Sequence, residues 1–303
     1  MPLTRKQLAA RSRGVGGSEM FAALGKDPRC SRLELYMRKV GELPEPDFDG
    51  DERVRFGTLL EPVIRQEFAR RTGYHVIGRR LTYVHRSEPI IASPDGLIPS
   101  IGAGVECKAV DKFEAEEFGE PESDQVPVRY VVQCATYMVV RDAPEWYLAV
   151  LIGGNDFRIY RIPRDPDLEA AIVAGARDFW NHVERRRPPD PATPDDVRLR
   201  WPKDLGLTVH ATPAIAETCA ELSAAITRRK AAGITEDTLK MEIQQFMADA
   251  SELVDVDGRK KLATWRSARA SRRFDAERFA TDHPELYAQY LREQPGSRRF
   301  LLK

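Results

Sequence analysis

Two short stretches carry the strongest chemical signal in this sequence: Ser93-Pro94-Asp95-Gly96 and, a loop later, Val105-Glu106-Cys107-Lys108. In an extended strand residues i and i+2 share a face, so Glu106 and Lys108 project together while Cys107 points to the opposite layer. A charged pair on one face of an otherwise apolar strand is costly to bury unless it serves a partner. Pro94 and Gly96 make a sharp turn that can aim the Asp95 carboxylate at Glu106. Two carboxylates plus a backbone carbonyl form a hard-oxygen site of the kind that suits Mg²⁺, with Mn²⁺ able to substitute.

A third carboxylate, Glu61, lies in Gly57-Thr58-Leu59-Leu60-Glu61-Pro62. A proline inside a helix removes a backbone hydrogen bond at a cost of about 3 kcal/mol. Either the helix starts at Pro62 or it kinks there, and both options put Glu61 where the helix is irregular. Gln133 and Tyr137 stand one helical turn apart, with Tyr130 three residues before Gln133, forming a polar–aromatic stripe. A glutamine among Val131, Val132, Cys134 and Ala135 needs hydrogen-bond partners. Near the start, Arg13-Gly14-Val15-Gly16-Gly17-Ser18-Glu19 reads as a Gly-rich turn whose N–H groups could form an anion-binding nest.

The elements that position these groups follow from periodicity. Phe56, Leu59, Leu60, Val63, Ile64 and Phe68 recur at helical spacing, predicting a buried-face helix over 52–72 that stops at Gly73. Ser31 is a suitable N-cap for an earlier helix. The stretches 74–85, 89–92 and 103–110 have strand composition. Helical periodicity returns over 127–140, with Pro127 suited to the first turn. Strands 145–152 and 156–163 flank the hairpin turn Gly153-Gly154-Asn155, and an amphipathic helix from about 167 to 186 closes the unit. The order predicts a mixed α/β core, a central sheet flanked by helices.

With 303 residues the chain exceeds one ordinary core, and the proline-rich segment 187–196 predicts two domains, 1–190 and 191–303. In the second, 214–250 reads as one or two long helices with a turn at Gly233, 252–266 as a hairpin around Asp257-Gly258, 275–293 as a helix and 299–302 as a strand. The C-terminal domain is thus mainly helical. A formal net charge of zero announces no polyanion partner, yet Arg259 to Lys303 holds twelve Lys/Arg against five Asp/Glu. No segment has the apolar length of a membrane span and the first residues lack a secretory h-region, so the expected location is cytoplasmic. Cys30, Cys107, Cys134 and Cys219 are too scattered for a zinc site or a disulfide framework and read as reduced, mostly buried hydrophobes. The five histidines show no paired metal spacing.

Taken together, GxxxE-P, SPDG, ExK and the QxxxY helix, preceded by Arg-x-x-Gly-x-Gly-Gly-Ser-Glu, resemble the YqaJ-type viral recombinases, relatives of lambda exonuclease. The resemblance covers roughly residues 5–190. It implies a PD-(D/E)XK nuclease fold and an enzyme that resects duplex DNA ends, 5′ to 3′, for phage-type recombination. Carried over, Asp95, Glu106 and the Cys107 carbonyl would bind metal, and Glu61 would complete a second metal position or place water. Lys108 would orient the nucleophilic water and stabilise phosphorane charge, with Gln133 and Tyr130 supporting the site. Arg11 or Arg13 with Ser18 would contact the 5′-terminal phosphate, Ser93 nearby. Two ions per site and a homo-oligomer are implied on the same ground.

Less specifically, the aromatic and basic interleaving around Trp265, Phe274, Tyr287 and Phe300 resembles the tails of such phage nucleases. It suits single-stranded DNA or a single-strand annealing protein. A structure-specific endonuclease on the same fold and a non-catalytic DNA-end-binding scaffold are the alternatives. The complete set of carboxylates with Lys108 argues against the scaffold.

Overall fold

The computed structural model describes residues 13–78, 81–293 and 296–303, and the chain divides after Trp201 into two compact units. The first unit opens with strand β1 (Val15–Gly16) and helices α1 (Gly17–Ala23) and α2 (Arg32–Lys39), the latter capped by the Ser31 hydroxyl as expected. Helix α3 (Glu52–Thr72) is capped by Asp51, runs through Pro62 and ends at Gly73 in a left-handed conformation, φ 73°. β2 (Tyr83–Val84) and β3 (Ile90–Ala92) join β1 in a small sheet of order β1-β3-β2. β4 (Gly96–Ile98), β5 (Ala103–Val110), β6 (Glu145–Ile152) and β7 (Asp156–Pro163) form the main sheet in that order. β5 and β6 are parallel, joined through α4 (Val128–Arg141), while β4 and β7 pair antiparallel at the two sides.

Strand alternation divides the core into two layers. Trp146, Leu148 and Val150 of β6 face a large cluster that includes Met20, Leu33, Tyr36, Met138 and, from α5 (Pro166–Glu184), Phe179. Tyr147 and Ala149 face the other way, joining Val105 and Cys107 of β5 against Ile64 and Phe68 of α3. Cys107 therefore sits in the α3 layer, as period-two alternation requires. Gly104 is needed for close packing: a Cβ there would come within 2.2 Å of the Trp146 ring.

Several expectations change. Only the row Leu60, Ile64 and Phe68 of α3 packs on the sheet; Phe56, Leu59 and Val63 are 50%, 54% and 53% exposed. Phe56 lines a cleft opposite the ends of β5 and β6, while Leu59 and Val63 lie to the side of the buried row. Among the described residues of 74–82 there is a single bridge, Ile77 to Leu97, in place of a strand. β4 escaped the sequence reading because its three residues follow directly on the Pro94–Asp95 turn. The proline-rich segment belongs to the first unit: it leads into α6 (Pro194–Arg200), whose buried Asp196 accepts from Ser31 Oγ and from the Ala192 and Thr193 N–H groups.

The second unit holds α7 (Pro213–Met247), a β8 (Glu252–Val254) and β9 (Lys261–Thr264) hairpin, α8 (Ala276–Asp282) and α9 (Pro284–Tyr290). α7 passes straight through Gly233, which makes no turn. The helix expected over 275–293 is split at His283-Pro284, where the proline starts a new helix, and 299–302 forms no strand. Among the described residues no helix is long and apolar enough to cross a membrane.

Candidate active site

β5 presents Glu106 and Lys108 to α4, and the two elements lock around one carboxylate oxygen. Glu106 Oε1 accepts from Lys108 Nζ at 2.8 Å and from Gln133 Nε2 at 2.6 Å. The same Gln133 amide nitrogen donates to the Tyr137 hydroxyl at 2.8 Å, so both of its hydrogens are engaged. This answers the question of what a buried glutamine bonds to. Glu106 is only 4% exposed, and its other oxygen, Oε2, is buried with no hydrogen-bond partner. A buried unpaired carboxylate oxygen is uncommon and costly, and it marks a position for a ligand.

Asp95 arrives from the β3–β4 turn, where its Oδ2 accepts from the Cys107 N–H at 2.8 Å. That bond fixes the aspartate beside β5, at the level of Glu106 and Lys108. Burial, then the neighbouring Glu106 charge, pushes the Asp95 carboxyl well above the usual carboxylate range, against the pull of Lys108 and the Cys107 N–H. Burial alone would lower the Lys108 ammonium; Glu106 and Asp95 outweigh it and hold the lysine above its ordinary value. Lys108 is therefore a fixed cation. Burial and the two carboxylates push the Cys107 thiol up, away from the thiolate that would bind a metal.

Glu61 stands on α3 in an i,i+4 pair with Arg65, whose Nη1 lies 3.1 Å from Glu61 Oε1 and 3.1 Å from the Asp95 carbonyl. Arg65 thereby ties Glu61 to the SPDG turn. Sequence reasoning missed it, although its spacing from Glu61 was the available signal. Tyr130 lies beside the site, its ring 5.4 Å from Lys108 Nζ and 4.6 Å from Arg129 Cζ. Tyr137, part of the expected stripe, is the second residue that binds Gln133 in place. Among the described residues no three His, Cys, Asp or Glu side chains converge tightly enough to enclose an ion alone. The donor chemistry present is two neighbouring carboxylates, one with an orphaned oxygen, supplemented by backbone or water oxygens. That fits a hard divalent cation and would suit a soft metal poorly.

The Gly-rich segment takes a different form from the expected turn. Val15–Gly16 pairs with β3 and Gly17 starts α1; Gly14, Gly16 and Gly17 are absent from the residues with positive φ that a nest would use. Two of these glycines serve packing: a Cβ on Gly14 would lie 2.6 Å from the Pro89 carbonyl, and one on Gly17 2.5 Å from the Tyr137 ring. Arg13 and Ser18 are exposed, and Ser93 Oγ lies 3.1 Å from Thr82 Oγ1. Arg11 lies outside the described residues. Of the four cysteines, Cys107 and Cys134 are buried, Cys30 is half-buried and Cys219 is exposed, so the burial expected of most holds for two.

A mixed sheet between helical layers, with an acidic turn and a Glu-x-Lys strand facing a Gln-bearing helix, defines a PD-(D/E)XK nuclease fold. The same fold occurs in an alkaline exonuclease from Laribacter hongkongensis, with a TM-score of 0.50 and 22% identity over 61% of this chain and 94% of that one. More narrowly, residues 6–144 match the YqaJ-like viral recombinase domain. YqaJ of Bacillus subtilis (strain 168) is 34% identical over 178 residues, 57% of this chain and 54% of that protein. The chain thus spans about half the length of the curated relative it matches.

Proposed function

We propose that this chain is a divalent-metal-dependent DNA exonuclease that resects duplex ends, 5′ to 3′, in phage-type recombination. The observation that carries the reading is Glu106: one oxygen clamped by Lys108 and Gln133, the other buried and unpartnered beside Asp95. Asp95, Glu106, the Cys107 carbonyl and Glu61 would hold Mg²⁺ or Mn²⁺, with two ions per site. Such ions, when bound, lower the pKa of water toward neutrality and neutralise charge on attacking and leaving oxygens.

The chain's own groups do the rest. Lys108, a permanent cation pinned beside Glu106, orients the attacking water and stabilises the charge that develops on phosphorus-bound oxygens. Gln133 is a positioning residue: spanning Glu106 and Tyr137, it fixes the carboxylate so that the unpartnered oxygen faces the ligand. Arg65 holds Glu61 to the Asp95 turn, and Tyr130 flanks Lys108. Arg11 or Arg13 with Ser18 and Ser93 would receive a 5′-phosphate. The Laribacter exonuclease has also been crystallised with dAMP, which is consistent with a deoxynucleotide product here. The basic, aromatic second unit would engage the exposed single strand or an annealing protein, and a homo-oligomer would keep the enzyme on its track.

The test is a digest of linear and covalently closed duplex of one sequence with Mg²⁺, with EDTA as control. An exonuclease consumes the linear form and spares the circle. Nicking of the circle would establish an endonuclease, and two untouched substrates a binding scaffold.

A further inference from the structure

Beyond the catalytic groups, the first unit contains a cleft of about 420 Å³ between the front half of α3 and the C-terminal ends of β5 and β6. Its size falls in the range of about 300–1,000 Å³ typical of small-molecule sites. Phe56 and Phe113 line it, 50% and 83% exposed, with Arg53, Lys112 and the single acid Asp111 beside them; Arg53 also reaches Glu114 at 3.3 Å. The Asp111 carboxylate is engaged at home, accepting from the Phe113 N–H at 3.0 Å. Each ring already carries a cation: Lys112 Nζ lies 5.1 Å from the Phe113 centroid and Arg55 Cζ 5.8 Å from that of Phe56.

Gly57 on the cleft wall is the telling residue. It sits inside α3 without positive φ, and a Cβ there would meet nothing within 4 Å. The fold has no need of a glycine at this point, and glycine weakens a helix relative to alanine. What a side chain would do is fill the cleft. Gly57 also lies one turn before Glu61, on the same face of the helix, so the α3 wall of the cleft leads toward Glu61.

We propose that this cleft binds unstacked nucleobases of single-stranded DNA, one strand of the substrate running from the catalytic groups onto Phe56 and Phe113 with its phosphates near Arg53 and Lys112. Aromatic faces bordered by cations, beside open space, are the arrangement that stacks bases without reading sequence. The proposal rests on the nuclease reading for the identity of the polymer.

The test measures fluorescence anisotropy of labelled oligo(dT), and of an abasic oligonucleotide of equal length, on the full chain in Ca²⁺. The parent should bind oligo(dT) about tenfold more tightly than the abasic strand, a gap that Phe113→Ala closes and Phe113→Trp restores. Gly57→Leu should weaken oligo(dT) binding by a similar factor with its melting temperature unchanged or raised. Phe113 is exposed, so its variants report even where Gly57→Leu fails to fold. Equal affinity of the parent for both strands, or unaltered preference in Phe113→Ala, overturns the proposal. So does a loss of binding that tracks a fall in self-association by sedimentation, which would make the face a contact between copies. Hydrolysis of linear duplex by the parent in Mg²⁺ is scored separately. A base preference without hydrolysis sinks the nuclease reading and leaves the cleft standing, and the converse sinks only the cleft.

Discussion

The two units of this chain use apolar residues in opposite ways. In the first, Trp146, Tyr36, Tyr160, Phe68 and Phe179 are almost wholly buried, and the charged site is mounted on strands and helices packed from both sides. In the second, Met247 is the one buried residue among those described, while Ile234, Phe246, Phe274 and Phe300 are all more than two-thirds exposed. The difference teaches where chemistry can reside. A carboxylate with an unpaired buried oxygen is tolerable only where surrounding packing over-determines its position, and the first unit supplies that packing. The second unit leaves its large apolar residues at the surface.

The largest effect should come from the cation that the first unit buries. Lys108→Ala is expected to lower kcat by about 10²–10³-fold, the range for losing one donor to transition-state charge, while sparing Mn²⁺ uptake. Calorimetry showing that the variant no longer binds Mn²⁺ would make the lysine a support for Glu106 instead. Gln133→Ala should cost about 10–100-fold in metal affinity or activity, as expected for a group that orients a metal ligand. If Gln133→Ala retains parental metal affinity and kcat, the clamp on Glu106 is incidental.

Smaller effects sharpen the contrast between units. Phe68→Ala should destabilise the chain by about 3–5 kcal/mol, whereas the exposed Phe246→Ser should fall within about 0.5 kcal/mol. A large loss from Phe246→Ser in denaturant titration would show that the second unit has a core requirement after all. Smallest is the effect at the N-terminal arginines. The Arg11→Ala/Arg13→Ala double variant should narrow the rate gap between 5′-phosphorylated and 5′-hydroxyl ends by a few-fold while leaving the 5′-hydroxyl rate near that of the parent. An unchanged gap would remove both residues from the phosphate pocket.

Much of this arrangement was legible because it depends on period and chain order. The ExK alternation fixes which face of β5 holds Glu106 and Lys108 whatever the tertiary context, and the end of α3 and the β6–β7 hairpin follow from Gly73 and the Gly153-Gly154-Asn155 turn. Less was legible where a third dimension decides. Phe56, Leu59 and Val63 have the spacing of a buried face, but the row that meets the sheet is Leu60, Ile64 and Phe68, and which row does so depends on how the helix is rotated against it. The glycines of 14–17 looked like a phosphate-binding turn from composition. Gly14 and Gly17 instead make room for Pro89 and Tyr137, neighbours more than seventy residues away. Arg65 went unnoticed because an i,i+4 pair with Glu61 is common on any helix; its reach to the Asp95 carbonyl is what gives it meaning.

Hydrolysis of a linear, 5′-phosphorylated duplex in Mg²⁺ by the parent and by Glu106→Ala, each first shown to be folded by its melting curve and to bind the same DNA in Ca²⁺, tests the central claim most directly. The account predicts Mg²⁺-dependent release of nucleotides by the parent and none detectable by the variant, with DNA binding retained in both. Degradation by Glu106→Ala within tenfold of the parental rate, or no hydrolysis by the parent with either Mg²⁺ or Mn²⁺, would contradict it.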